Sequence, residues 1–263
     1  MNIHEYLNQT EEKPLENIVE NGGYTSIFRK IACIGDSLSS GEFQIINPRD
    51  NKAMGIDDYE HSWGKYLGRM AGSEIYNFSR GGMTAKEYAV SFSNEMGLYR
   101  SSLAADAYVI ALGFNDLLNK NMTVGSVDDI NREKPEDHTD SFAGYLGEII
   151  LKYRKISPGA KFFLVTIPHS PRAEVQLKAV ADHRKLMYDL ADFFDNTYVL
   201  DMNKYAPEFG LEFREKYMMR GHMTATGYRL FAVMVGSYID YIVRKDPREF
   251  KYVGLSGYEY VKE

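Results

Sequence analysis

Short apolar runs recur along the chain. Ile31-Ala32-Cys33-Ile34 leads into Gly35, and runs of the same kind follow at 74–78, 107–112, 161–167 and 198–200. Each is too short and too continuously apolar for an amphipathic helix, so each reads as a strand buried on both faces. Gly, Pro, Ser or Asp residues punctuate their ends. Between them, apolar positions fall at helical spacing over 62–71, 84–96, 141–156, 173–194 and 224–243. Pro171 stands where it can open the fourth helix, and Gly159 follows the third where a turn is needed. Strand-then-helix alternation predicts an α/β fold, a five-stranded parallel sheet with helices on both faces in a three-layer α/β/α sandwich. No internal repeat or low-complexity linker interrupts 31–243. Residues 28–263 are therefore expected to form a single domain, with residues 1–27 a polar lead-in carrying a short helix packed on it.

Composition narrows the function classes. A chain of 263 residues with 44% hydrophobic and 26% charged residues is long and apolar enough to bury a large core, which excludes disorder and collagen-like repeats. The apolar runs fall far short of the ~18 residues of a membrane span, so no membrane partner is expected. A net charge of -6 weighs against nucleic acid as a partner. A single cysteine, Cys33, excludes an internal disulfide and Cys-rich zinc sites. His4, His61, His138, His169 and His183 show no His-x-x-x-His spacing, so no metal site is expected. Asp57-Asp58 and Asp128-Asp129 read as solvated loops rather than a glycosidase pair. The start Met1-Asn2-Ile3-His4-Glu5-Tyr6 lacks a basic and then apolar leader, so the sequence as written predicts a cytoplasmic protein. A trimmed secreted or periplasmic protein would look the same.

In a doubly wound sheet, chemistry gathers at the carboxyl ends of the strands. The first run is followed by Gly35-Asp36-Ser37-Leu38-Ser39-Ser40-Gly41, the second by Ser79-Arg80-Gly81-Gly82-Met83-Thr84, and the third by Gly113-Phe114-Asn115-Asp116. Near the C-terminus stands Arg220-Gly221-His222-Met223-Thr224. These segments supply a hydroxyl, a glycine turn with free N–H groups, a carboxamide and an imidazole, which are the parts needed for acyl transfer. A serine hydroxyl needs a base to take its proton, and the oxyanion that follows needs fixed donors. Each residue also has a plainer role available. Ser37 or Thr84 can cap a helix, Asp36 can hold its loop by hydrogen bonding, Asn115 can serve a turn, and His222 can be a surface histidine.

The four blocks in this order resemble the SGNH (GDSL-type) hydrolase family over about residues 31–230. Ser37 stands in Gly-Asp-Ser-Leu, Gly82 in the second block, Asn115 in Gly-Phe-Asn-Asp and His222 in the last. The resemblance implies a flavodoxin-like strand order 2-1-3-4-5, Ser37 as nucleophile and His222 as general base. It also implies an oxyanion hole from the N–H groups of Ser37 and Gly82 with the Asn115 side chain, Gly81 being the rival for the Gly82 role. No Gly-x-Ser-x-Gly elbow is present to suggest the α/β-hydrolase route. The family's usual aspartate three residues before the histidine is Met219 here. His222 is then expected to be oriented by a backbone carbonyl, or by a displaced carboxylate such as Glu215, Glu212 or Asp201.

The resulting expectation is a cofactor-free serine esterase for small-acyl esters, its partner a small-molecule ester, on carbohydrate by preference because no amphipathic membrane-binding segment is evident. Tyr59, Trp63 and Tyr88 are candidates for an aromatic wall against a sugar, or for core, and His169 is a candidate for the site's mouth. The alternatives are an acyl-thioesterase or lysophospholipase, and a non-catalytic carbohydrate-binding relic. The oligomeric state is left open.

Overall fold

The computed structural model describes Ile3 and residues 11–255. In chain order its strands are β1 (Lys30–Gly35), β2 (Glu42–Ile46), β3 (Ala53–Asp57), β4 (Glu74–Ser79), β5 (Ala107–Ala111), β6 (Lys161–Val165), β7 (Thr197–Leu200), β8 (Met218–Met219) and β9 (His222–Met223). Five of them form one sheet in the order β4-β1-β5-β6-β7, and every pairing in it is parallel. Renumbered within the sheet, this is 2-1-3-4-5, as expected.

The alternation of side chains along β1 divides the core in two. Ile31 and Cys33 point to the face where Trp63, Phe163, Tyr228 and Ile239 pack, and Ala32 and Ile34 to the face of Tyr88, Phe142, Ile149 and Phe162. Helices Trp63–Ala71 and Ala225–Lys245 cover the first face, and Phe142–Ile156 and Leu177–Phe193 the second. Full burial of one such apolar side chain stabilises the fold by about 1.5–3 kcal/mol. Three of these helices open on a hydroxyl cap: Ser62, Ser141 and Thr224 accept from the N–H groups of Lys65, Gly144 and Gly227. A lost cap of this kind typically costs about 1 kcal/mol.

The structure departs from the sequence expectation in three places. The helix expected over 84–96 opens on a Thr84–Glu87 capping box but passes through a π turn at Tyr88–Phe92. The helix expected over 173–194 is two, Pro171–Glu174 and Leu177–Phe193, broken at Val175-Gln176. Two antiparallel hairpins, β2–β3 and β8–β9, had no counterpart in the sequence reading. In the lead-in, the described residues carry a 3-10 helix at Gly23–Ile27. Of the lead-in, residues 1–2 and 4–10, His4 among them, lie outside the described residues. No helix among the described residues is long and apolar enough to cross a membrane.

Candidate active site

β1 delivers its last residues to the carboxyl edge of the sheet. Asp36 leaves the strand in extended backbone, and its Oδ1 accepts from Leu38 N at 3.1 Å, capping the short helix Ser37–Ser40. Ser37 is thus the first helical residue, half-buried, and among the described residues its N–H has no backbone partner. After β4, Gly82 turns the chain at φ 72°, a left-handed conformation that other residues adopt only at a cost. Its N–H is likewise without a backbone partner. At Gly81, a Cβ would lie 2.7 Å from Glu42 Oε2 and 4.0 Å from Ser37 Cβ. The absent side chain leaves the Glu42 carboxylate room beside the serine.

Asn115 sits in a π turn at Phe114–Asn119 that follows β5. Its Nδ2 donates to Asp36 Oδ2 and to the Met83 carbonyl, both at 3.2 Å, while its Oδ1 accepts from Asn119 Nδ2 at 2.7 Å. One carboxamide therefore ties the serine loop, the glycine turn and its own turn together, and both of its protons are engaged. Beside it, Asp116 is buried. Its Oδ1 accepts from Ala85 N at 2.8 Å, and its Oδ2 has no hydrogen-bond partner among the described residues. Loss of solvent pushes the Asp116 carboxyl up to about 7 and that of Asp36 up to about 6.

His222 arrives on the β8–β9 hairpin, where it pairs with Met219. Gly221 N donates to Gln44 Oε1 at 3.0 Å, and Thr224 N to the Tyr217 carbonyl at 2.8 Å. The hairpin is thus fastened to β2 on one side, and β9 lies against the helix of Ser37 on the other. His222 Nε2 lies 3.5 Å from Glu42 Oε1, and its buried Nδ1 has no hydrogen-bond partner among the described residues. Burial holds the imidazole below its ordinary pKa, against the charges of Glu42 and Asp57, which raise it. No hydrogen bond joins Ser37 to His222.

The acids expected near His222 are engaged elsewhere or turned to solvent. Glu215 is exposed, and Glu212 pairs with Lys216 at 2.6 Å. Asp201 is buried under Arg184 at 2.7 Å, Tyr188 at 2.8 Å and Thr166 at 3.1 Å. Tyr88 is core, its hydroxyl paired with that of Tyr153, whereas Trp63 is buried with its Nε1 donating to Ser39 Oγ and also lines the cavity beside the serine loop. Tyr59 donates to the Ile75 carbonyl, and His169 is exposed in a depression shared with Arg184 and Asn203. The residue that sequence reasoning missed is Glu42. Its one sequence signal was its place at the head of an alternating segment just after Gly41.

Next to the serine loop, a mostly apolar cavity of about 60 Å³ is lined by residues including Asp36, Leu38, Phe114, Ile167 and Phe209. Among the described residues no group of three or more His, Cys, Asp or Glu side chains is placed to hold a metal ion.

The parallel sheet, with a serine past its first strand and the glycine, asparagine and histidine blocks in the same order, is the SGNH hydrolase fold. Residues 33–230 match the GDSL-like Lipase/Acylhydrolase family, and the chain belongs to that family of hydrolases. The fold is similar to that of a Clostridium thermocellum family 3 carbohydrate esterase, with 17% identity over 82% of this chain and 97% of that one and a TM-score of 0.53. It is similar also to a Corynascus thermopiles (Myceliophthora fergusii) family 2 carbohydrate esterase with a carbohydrate binding domain, at 16% identity, 82% and 66% coverage and a TM-score of 0.54. A third likeness is to TesA, at 17% identity, 81% and 99% coverage and a TM-score of 0.53. Comparison with curated proteins finds no match.

Proposed function

We propose that this protein is a serine esterase that removes small acyl groups, with acylated carbohydrate as its substrate class. The observation that carries the reading is the pair of N–H groups without backbone partners, on Ser37 and Gly82, at the sheet edge that also holds the Ser37 hydroxyl and the His222 imidazole. Ser37 Oγ attacks the ester carbonyl as its proton passes to His222 Nε2, and the negative oxygen is received by the two N–H groups. Asn115 adds a third donor by exchanging one of its present acceptors for that oxygen. The imidazolium then gives its proton to the leaving alcohol. Water, activated by His222, attacks the acyl-serine carbonyl and releases acid and free Ser37.

The small, mostly apolar cavity of about 60 Å³ beside the serine loop, lined by Asp36, Leu38 and Ser39 among others, supports an acetyl-sized group over a long chain. The carbohydrate assignment draws on the fold neighbours. A second reading, a lysophospholipase or acyl-thioesterase, is favoured by the exposed Ile45, Met54 and Ile56 on the β2–β3 hairpin beside His222. In it the hairpin, rather than the cavity, would carry the acyl chain.

Hydrolysis of p-nitrophenyl acetate by the wild type and by Ser37→Ala tests the chemistry. Loss of at least about 10³-fold in kcat is expected, on the scale of nucleophile removal in serine hydrolases. Equal rates would reject the nucleophile and leave a carbohydrate-binding relic. An acyl-length series then separates the two substrate readings: activity falling beyond short chains supports the first, and activity rising with length supports the second.

A further inference from the structure

The position three residues before His222 holds Met219, and the Nδ1 side of the ring has no hydrogen-bond partner among the described residues. A carboxylate nevertheless reaches this histidine from another element. We infer that Glu42, on β2, is the positioning residue for His222, supplying from the Nε2 side the negative charge that the Met219 position lacks. The inference rests on the Ser37 esterase reading.

The geometry suits a charge more than a hydrogen bond. At 3.5 Å, Glu42 Oε1 is at the limit of hydrogen bonding, so its charge stabilises the imidazolium while favouring only weakly the Nε2–H tautomer, which has no lone pair for the Ser37 proton. The other oxygen lies over Gly81, beside Ser37. The carboxylate thus faces His222 and reaches the glycine turn that also borders Ser37. Its backbone is pinned as well, because the Tyr228 hydroxyl donates to the Glu42 carbonyl at 2.6 Å and Gln44, two residues on, accepts from Gly221 N. Other titratable or charged groups on elements packed around His222 include Asp36 at the head of the Ser37 helix, Asp57 on β3, Tyr228 on the long C-terminal helix, Arg220 in the hairpin's own turn and Arg214, whose Nη2 donates to the Arg220 carbonyl at 2.7 Å. Of these, Asp57 acts on His222 in the same direction as Glu42, and its Oδ1 accepts from Ser40 Oγ at 2.8 Å.

The test is Glu42→Gln, close to isosteric, with Glu42→Asp as the variant that keeps the charge. A general base must be neutral, so the acid limb of kcat/KM reports the ionisation of His222 in the free enzyme. Removing the Glu42 charge leaves burial opposed by Asp57 alone, so His222 ionises at lower pH and the acid limb moves down. Imidazolium formation also becomes harder, and kcat at the plateau is expected to fall about 10- to 10²-fold with KM little changed. The fall is smaller than the ~10⁴ of a triad carboxylate-to-amide change, because no tautomer is lost. Glu42→Asp should return the limb towards the wild-type position, and it carries the test if the glutamine variant does not fold.

Wild-type turnover that depends on Ser37, with an unmoved limb and plateau in Glu42→Gln, overturns the inference and leaves the esterase reading standing. A rise in KM alone also overturns it, by making Glu42 a binding group. If the wild type shows no Ser37-dependent turnover, the esterase reading fails by itself. An NMR titration of the His222 ring, which needs no activity, then decides the charge coupling. A lower midpoint in Glu42→Gln supports it, and an identical midpoint overturns it.

Discussion

Asp36 and Asp116 share the space beneath Asn115, and each keeps a carboxyl out of water there. Burial raises Asp36 to about 6 and Asp116 to about 7, against about 3.9 for an aspartate in an unfolded chain. The sign follows from proton counting. Between the unfolded and folded values the native state holds a proton that the unfolded state has lost, so stability falls as pH rises through that window. In Asp116→Asn this titration disappears. Its stability relative to wild type is expected to improve by about 1–2 kcal/mol on going from about pH 5 to about pH 7.5. Urea unfolding of both proteins at the two pH values measures this, and a difference that stays constant would show that Asp116 ionises normally. The same two acids bear on the site, because a neutral Asp36 is a weaker acceptor for Asn115 and leaves its N–H freer to face an oxyanion.

The hairpins show where element-level reading of the sequence succeeds and where it stops. Ile31–Ile34, 107–111 and 161–165 are buried on both faces, and burial writes itself into the chain as an unbroken apolar run. Their ends, and with them Ser37 and Asn115, were legible for that reason, whereas Gly82 follows β4, an edge strand that is mostly half-exposed. β2 and β3 are half or fully exposed and carry Glu42, Gln44, Gly55 and Asp57 among their apolar residues, so no such run marks them. β8 and β9 are two residues each, too short to leave a pattern. Glu42 was illegible because its role arises from the approach of β2 to a hairpin some 180 residues later in the chain, which no local spacing encodes. The fastening between these elements is testable at Tyr228. Its hydroxyl donates to the Glu42 carbonyl at 2.6 Å, and its ring lies 5.5 Å from that of Phe43. Tyr228→Phe keeps the ring and removes the donor, at a cost of about 1 kcal/mol. Limited proteolysis should cut the 47–52 loop faster in the variant while the melting temperature drops only slightly. Unchanged cleavage would mean that the hydroxyl does not hold the hairpin down.

Across the whole molecule, the lead-in and the last helix are joined although they lie at opposite ends of the chain. Val19 N donates to Ser237 Oγ, Tyr24 N to Asp240 Oδ1 and Thr25 Oγ1 to the Gly236 carbonyl, so successive turns of Ala225–Lys245 are laced to residues 19–25. Further out, Arg244 makes a two-pronged contact with Glu12, both bonds at 2.7 Å, and reaches Asp240 Oδ2 at 2.7 Å. The helix these residues hold is the one that follows directly from His222 and carries Tyr228. We propose that lead-in and sandwich therefore unfold as one unit. Glu12→Gln tests this, since it leaves the Arg244 charge with less compensation in a place that is nearly closed to solvent. The expected loss is about 1–3 kcal/mol in a single cooperative transition. Burial pushes the Glu12 carboxyl up, but its bonds to Arg244 and Asn17 outweigh that and hold it below the ordinary glutamate value. Its contribution is then complete above about pH 4.3, the unfolded value, and is lost as pH falls through the lower, folded one. The gap between wild type and Glu12→Gln should consequently narrow as pH falls from about 6 to about 3. A gap that persists in acid would assign the effect to packing rather than charge, and a separate early transition in the variant would show that the lead-in melts alone.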